Sequence, residues 1–241
     1  MALKDLLRTY KDDRILVPAI DRYLLTLNEE GFGDGWIHPS GIARCVRSQF
    51  YSLLRAPKVE DVNAKLRRIF ENGDYTHLRL QRLMLRAKLT IPSLDNNKGE
   101  HKFESKKYRV RGTCDGIIKS NDAILEIKSI NQRGFSALSG PKAEHIWQTH
   151  LYMWGLQKKL VVYLYECKDT QDLREFVRPF DQETFDTIFE RIEYLNKCYD
   201  NGKLPDKWSC VDGASCDCDI EEMGQKWVDN WMKSGKHLRK P

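Results

Sequence analysis

The chain has 241 residues, of which 41% are hydrophobic and 31% charged, and its formal net charge is +5. This length is enough for one globular domain or for a core domain with flanking helices. No apolar run approaches the length of a membrane span, and the first residues lack a secretory signal, so we expect a cytoplasmic protein with no membrane partner.

Helical spacing of apolar residues dominates the first third of the chain. Residues 3–27 predict two short helices, separated near residues 12–13 and at Pro18. A further helix is predicted to begin at Ser40, as its N-cap, and to run through Cys45 to about Leu54.

Residues 61–88 predict one or two helices, with Gly73 as an interruption. The basic residues of this segment are Lys65, Arg67, Arg68, Arg79, Arg82, Arg86 and Lys88. Such a cluster can bind phosphates, but it equally fits a solvated helix face, so charge alone does not identify a partner.

After residue 100 the spacing of hydrophobic residues changes from a helical period to one typical of strands. The remaining predicted elements are a strand meander over 101–127, a helix over 141–156, a strand over 160–165, a short strand over 175–177 and a helix over 182–199. Strands between helical blocks predict an α/β fold with a central mixed β-sheet flanked by helices. We expect a single domain over 1–241, with a helical N-terminal part (1–95), a core (96–200) and a Cys-rich C-terminal appendage (201–241).

Two carboxylates and a lysine are predicted to converge in the meander. Asp115 lies on one strand of a predicted hairpin, and Glu126 and Lys128 lie two apart on the next, so Glu126 and Lys128 would point to the same face. Paired carboxylates beside an ammonium suit phosphodiester hydrolysis, because carboxylate oxygens bind Mg²⁺ and a cation balances charge. A Glu-x-Lys triplet can also mark a solvated strand face, but the apolar neighbours of Glu126 predict a buried strand.

These residues resemble the RecB-like branch of the PD-(D/E)XK nuclease superfamily. The ordered motifs that carry the resemblance are Gly73-Asp74-Tyr75-Thr76-His77, Asp115, Glu126-Ile127-Lys128 and Gln148-Thr149-His150-Leu151-Tyr152. Cys114 precedes Asp115, at the position where the PD motif of the superfamily has a proline. That proline takes no part in the chemistry. Taken singly, His77 could be a core histidine, Gln148 a surface residue and Tyr152 core packing.

The resemblance implies a restriction-endonuclease-like core and a metal-dependent deoxyribonuclease. His77, Asp115, Glu126 and the backbone carbonyl of Ile127 would hold one or two Mg²⁺ or Mn²⁺ ions. Lys128 would position the attacking water or balance charge. The motif residues Gln148 and Tyr152 would orient Lys128 or contact DNA.

The seven cysteines are an odd number, and without an export signal a disulfide framework is not expected. Residues 37–51 resemble the N-terminal segment of CRISPR-associated and helicase-associated RecB-like exonucleases. That resemblance implies a [4Fe–4S] cluster, or alternatively Zn²⁺, held by Cys45, Cys210, Cys216 and Cys218. Their C-x5-C-x-C spacing differs from that of the family, and unrelated thiols are the alternative.

The expected function is therefore an exonuclease acting on single-stranded or frayed DNA ends, with RNA as a lesser alternative. Two other classes remain open at this stage: a catalytically silent nucleic-acid-binding module, and a metal-stapled protein-interaction domain. The sequence does not identify a protein partner.

Overall fold

A computed structural model describes residues 15–27, 30–59, 62–93, 99–206 and 224–238. Its helices are α1 (Leu16–Thr26), α2 (Val46–Leu53), α3 (Ala64–Arg86), α4 (Gln132–Ser136), α5 (Ala143–Gly155), α6 (Gln182–Asp200) and α7 (Gln225–Lys233). Its strands are β1 (Glu30–Phe32), β2 (Pro57–Val59), β3 (His101–Ser105), β4 (Val110–Cys114), β5 (Gly116–Ile118), β6 (Ala123–Ile130), β7 (Leu160–Cys167) and β8 (Leu173–Pro179).

The central sheet is mixed and has the strand order β5-β6-β7-β8. Its middle strands β6 and β7 run parallel, while β5 and β8 pair antiparallel with them at the two edges. A parallel pair needs a crossover, and α4 and α5 supply it. The hairpin of β3 and β4 forms a separate two-stranded sheet that leads directly into β5.

Helices cover both faces of the sheet, which confirms the α/β class. On one face, Leu80 of α3 packs with Leu125 and Ile127 of β6 in a small apolar cluster. The opposite face belongs to the main core, to which β6, β7, α2, α5 and α6 all contribute buried side chains. Burial on both faces explains why β6 is a nearly continuous apolar run with few charged residues.

The C-terminal helix returns to the N-terminal part of the chain. Trp231 of α7 donates its indole N–H to the carbonyl of Leu54, at 2.7 Å. The ring of Trp227 meets Tyr51 edge to face, with centroids 5.9 Å apart. Residues 207–223, which include three of the predicted metal-binding cysteines, lie outside the described residues.

Three local predictions were wrong. Pro18 lies inside the first turn of α1, where a missing N–H breaks no helical bond, and residues 3–14 lie outside the described part of the chain. Ser40 belongs to a short 3-10 turn, Pro39–Gly41, and the extended ψ of 130° at Cys45 separates this turn from α2. Gly73 does not interrupt α3, so of the one or two helices predicted over residues 61–88 the structure has one.

The strand predictions need smaller corrections. The predicted meander is divided between two sheets, and β8 extends over seven residues rather than three. Within the described residues, the helices are too short or too polar for any of them to cross a membrane.

Candidate active site

Glu126 and Lys128 lie on the same face of β6, as alternation along a strand predicts. The ammonium of Lys128 is 2.6 Å from Oε1 of Glu126. The Glu126 side chain is only 3% exposed, so its carboxylate needs a charged or hydrogen-bonding partner. Lys128 is that partner, and the two residues form a nearly buried ion pair on β6, a middle strand of the sheet.

Asp115, between β4 and β5, connects β6 to α3. Its Oδ2 accepts the backbone N–H of Ile127 at 2.6 Å, and its Oδ1 is 3.1 Å from Nδ1 of His77. The side-chain amide of Gln81, one turn after His77 on α3, donates to the backbone carbonyl of Asp115 at 3.0 Å. Asp115 is therefore held by α3, which carries His77, and by β6, which carries Glu126 and Lys128.

The hydrogen bond between the Ile127 N–H and Asp115 also determines the direction of the Ile127 carbonyl. A strand residue presents its N–H and its C=O at the same edge. Because the N–H of Ile127 points to the Asp115 carboxylate, its carbonyl oxygen faces the side of β6 on which Asp115 lies.

Gln148 and Tyr152 extend the polar chain from Lys128 into α5. Oε1 of Gln148 accepts from the Lys128 ammonium at 3.2 Å, and Nε2 of Gln148 donates to the Tyr152 hydroxyl at 2.9 Å. The two residues are four apart, so they occupy one helix face. Both are buried. Lys128 is therefore held between a carboxylate on its own strand and an amide on the covering helix.

The electrostatics of this group reflect burial opposed by close charges. Burial raises the pKa of Glu126 to about 7, although the Lys128 ammonium acts in the opposite direction. Burial alone would lower the pKa of Lys128, but the carboxylate of Glu126 outweighs it and raises that pKa. Burial would likewise lower the pKa of His77, and its hydrogen bond to Asp115 reverses the shift. Shifts of this kind are concentrated at functional sites.

The donor chemistry fits a hard divalent cation. Two carboxylates, one imidazole and one backbone carbonyl are ligands that Mg²⁺ and Mn²⁺ accept. In their present side-chain arrangement, no three His, Cys, Asp or Glu residues among those described are grouped as a metal site. In this arrangement Glu126 is paired with Lys128, and Asp115 is hydrogen-bonded to His77 and Ile127.

A cavity of about 570 Å³ adjoins this group and shares Tyr152 as part of its wall. Its other lining residues are His38, Pro39, Ser40, Lys102, Phe103, Glu104, Arg111, Gly112 and Thr113. The lining therefore combines the cations Lys102 and Arg111 with the carboxylate of Glu104, three hydroxyl groups and the rings of Phe103 and Tyr152. The rings and the Lys102 ammonium are groups that can contact a base and a phosphate.

Cys45 is the only member of the predicted four-cysteine set that lies within the described residues. It is 1% exposed and immediately precedes α2. The described chain on both sides of 207–223 contacts this helix: Arg47 donates to the carbonyl of Pro205 at 2.9 Å, and Trp227 packs on Tyr51. Cys210, Cys216 and Cys218 lie outside the described residues.

Sequence reasoning missed two contributors to this group. Gln81 holds the backbone of Asp115, and its position four residues after His77 on α3 could have indicated it. His145 contacts the Tyr165 hydroxyl, and its position three residues before Gln148 places it on the same face of α5.

Comparisons with known proteins connect the chain to nucleases through its fold. No family model matches the sequence, and no curated protein matches it. Among solved structures, an alkaline exonuclease from Laribacter hongkongensis is 12% identical, with a TM-score of 0.52 over 70% of this chain and 90% of that chain. A structure of this exonuclease in complex with dAMP is 14% identical, with a TM-score of 0.52 over 70% of this chain and 89% of that chain. The likeness is one of fold: a mixed sheet flanked by helices.

Proposed function

We propose that this protein is a divalent-metal-dependent deoxyribonuclease. The observation that carries the proposal is the group formed by Asp115, Glu126 and Lys128 at one end of a nuclease-like sheet. Glu126 and Lys128 are largely buried, although burying charge is costly. A fold with no use for these charges would be expected to replace them with apolar residues.

Each residue has a distinct part in this proposal. Asp115, Glu126, His77 and the carbonyl of Ile127 would hold Mg²⁺ or Mn²⁺. Bound there, the metal supplies Lewis-acid polarisation of the scissile phosphate and a lower pKa for the attacking water.

Lys128 donates to the attacking water or to a phosphate oxygen, and Gln148 keeps its ammonium turned toward the site. Tyr152 fixes the orientation of the Gln148 amide. Gln81 holds the Asp115 backbone and so sets the position of its carboxylate.

The fold likeness to an alkaline exonuclease, of which one structure is a complex with dAMP, supports an exonuclease over an endonuclease. In the adjoining cavity, Lys102 supplies positive charge for a phosphate, and the ring of Phe103 forms part of the wall. We therefore propose that the substrate is the end of a DNA strand, single-stranded or frayed.

A catalytically silent DNA-binding module is the second candidate, and it explains less. Such a module can use surface cations alone, and it has no need of a buried Glu126. A protein-interaction domain likewise leaves the group around Asp115 unexplained. RNA as substrate remains a possible outcome of the test.

A structural metal centre at Cys45, Cys210, Cys216 and Cys218 is a separate proposal. Support comes from Pro205 and Trp227, which lie on either side of the cysteine-bearing segment and contact residues of α2 next to Cys45. Four thiolates suit a [4Fe–4S] cluster or tetrahedral Zn²⁺ and leave no open position for substrate, so this centre would be structural.

The test uses linear and covalently circular single-stranded DNA of the same sequence, each incubated with Mg²⁺ or Mn²⁺. We expect release of mononucleotides from the linear form and survival of the circle, and no cleavage by Asp115→Asn. Cleavage of the circle would overturn the exonuclease assignment alone. Failure to degrade any DNA in either metal would overturn the nuclease. A labelled RNA of the same sequence, run in parallel, decides between the two nucleic acids.

A further inference from the structure

His145 on α5 and Tyr165 on β7 form a second polar contact beside Lys128. Nδ1 of His145 is 2.6 Å from the Tyr165 hydroxyl oxygen. The same hydroxyl oxygen accepts the backbone N–H of Lys142 at 3.2 Å. Tyr165 is fully buried and the His145 side chain is only 13% exposed. Nε2 of His145 is also 3.4 Å from Oε1 of Glu144, so the contact with Tyr165 is the inward-facing partner of this imidazole.

Tyr165 is the direct neighbour of Lys128 across the parallel strands. The register pairs the two residues, and paired residues on adjacent strands point to the same face at a strand spacing of about 4.8 Å. The ring of Tyr165 therefore borders the alkyl stem of Lys128. Movement of the ring would change the space in which Lys128 is held.

One turn of α5 contacts both Tyr165 and Lys128. His145 and Gln148 are three apart and share a helix face. His145 contacts Tyr165, and Gln148 accepts the ammonium of Lys128 at 3.2 Å. Within the described residues, the contact of His145 with Tyr165 is therefore one of two side-chain hydrogen bonds, with that of Thr149 to Tyr163, that join α5 to β7 beside the turn where Gln148 reaches Lys128.

The charge state of His145 suits this position. Burial lowers its pKa to about 3, and the ammonium groups of Lys128 and Lys142 act in the same direction. The imidazole is neutral at physiological pH, so it adds no positive charge beside Lys128. Because the Tyr165 oxygen already accepts from Lys142, its O–H is free to donate to Nδ1 of His145.

We propose that His145 is a positioning residue for the nuclease reaction. It acts through Tyr165, which it holds in place, and so keeps Gln148 at hydrogen-bonding distance from Lys128. This inference rests on the proposed function, in which Lys128 takes part in the chemical step. Nothing in the sequence motifs that indicated a nuclease includes His145 or Tyr165.

The test measures kcat and KM for release of nucleotides from linear single-stranded DNA. His145→Leu and Tyr165→Phe should each lower kcat about tenfold with little change in KM, because a small misplacement of a reacting group costs rate rather than binding. The double variant should be no slower than either single variant, since both break one contact. His145→Asn, whose amide can take the place of Nδ1, should recover most of the lost rate.

His150 provides the matched control. It is a buried neutral histidine on the same helix, but its ring nitrogens contact the Ile146 carbonyl and the Asp181 backbone N–H, away from Lys128. His150→Gln should lower the melting temperature and leave kcat unchanged.

Three results would overturn the positioning role. These are a normal kcat in His145→Leu, losses that add in the double variant, and a loss of kcat equal to that of the His150 control at equal loss of stability. A wild-type protein that degrades no DNA would overturn the proposed function and this role together, so the two failures are distinguishable.

Discussion

The carboxylate of Asp115 accepts the backbone N–H of Ile127 at 2.6 Å, so the acid that precedes β5 is bound directly to the strand that carries Glu126 and Lys128. This contact holds the Asp115 carboxylate against the main chain of β6 at the residue next to Glu126. A site built on strands in this way is more precise than one built on loops.

Lys128→Met should affect both stability and activity. It removes the ion partner of a carboxylate that is 3% exposed, and leaving a buried charge without its partner is expected to lower the unfolding free energy by about 3–5 kcal/mol. Cleavage should fall by orders of magnitude. Urea unfolding at mildly alkaline pH measures the first effect.

The double variant Lys128→Met/Glu126→Gln is the matched control. It removes both charges, so we expect it to regain much of the lost stability while staying inactive. A single Lys128→Met variant as stable as the wild type would show that the ion pair is not the partner on which Glu126 depends.

The relation between Glu126 and Lys128 could be predicted from the sequence because it depends only on strand alternation. The order of the motifs also predicted that His77, Asp115 and Gln148 approach this strand. The contact of Asp115 with the Ile127 N–H could not be predicted, because it depends on where β4 ends and β5 begins.

Local signals failed where tertiary packing decided the outcome. Gly73 was expected to interrupt a helix, yet α3 continues through it and passes beside Ser129 of β6. The role of His145 was not predicted, because its partner Tyr165 is twenty residues away on strand β7. The separation of the hairpin β3–β4 from the central sheet likewise has no signal in hydrophobic periodicity.

Asp34 should make stability depend on pH in the acid range. Burial alone would raise the pKa of Asp34, but hydrogen bonds and charges from His38 and Arg111 outweigh it and hold that pKa well below its usual range. A lowered pKa in the folded state means that ionised Asp34 stabilises the protein above its unfolded pKa, near 4, and that this stabilisation is lost as pH falls through the folded value.

Asp34→Asn should therefore be less stable than the wild type at neutral pH, and the difference in urea midpoint should shrink below about pH 4. The control is Asp122→Asn, which removes an exposed carboxylate paired with Lys158 and should change stability little at any pH. A constant difference between Asp34→Asn and the wild type from neutral pH to pH 3 would contradict the prediction.

Gly112 should tolerate no side chain. A Cβ at this position would lie 2.7 Å from Pro39, 2.8 Å from the Tyr152 ring and 2.9 Å from the Phe103 ring. Gly112→Ala is expected to cost about 1–3 kcal/mol through overpacking, and to lower kcat because it displaces Tyr152. Gly140→Ala, whose new Cβ would have its nearest neighbour at 3.6 Å, is the control. Equal stability of the two variants would show that Gly112 does not lie this close to Pro39, Tyr152 and Phe103.

Cys45→Ser should remove the proposed structural centre. We expect loss of bound iron or zinc together with a lower melting temperature, because metal–thiolate bonds contribute folding free energy directly. Cys167→Ser is the matched control, since Cys167 is equally buried but is outside the proposed set. Fresh, active wild-type protein that contains neither metal would refute the centre, and absorbance near 400 nm would favour the cluster over zinc.

The central claim is that Asp115 and Glu126 bind a divalent metal that drives DNA cleavage, and one titration tests it most directly. Nucleotide release from end-labelled single-stranded DNA is measured against Mn²⁺ concentration for the wild type and for Glu126→Gln, with Mn²⁺ binding followed in parallel by calorimetry. We expect saturable metal-dependent cleavage by the wild type, which chelation abolishes, and loss of both cleavage and metal binding in Glu126→Gln while DNA binding persists. Wild-type rates and metal affinity in Glu126→Gln, or cleavage that survives chelation, would contradict it.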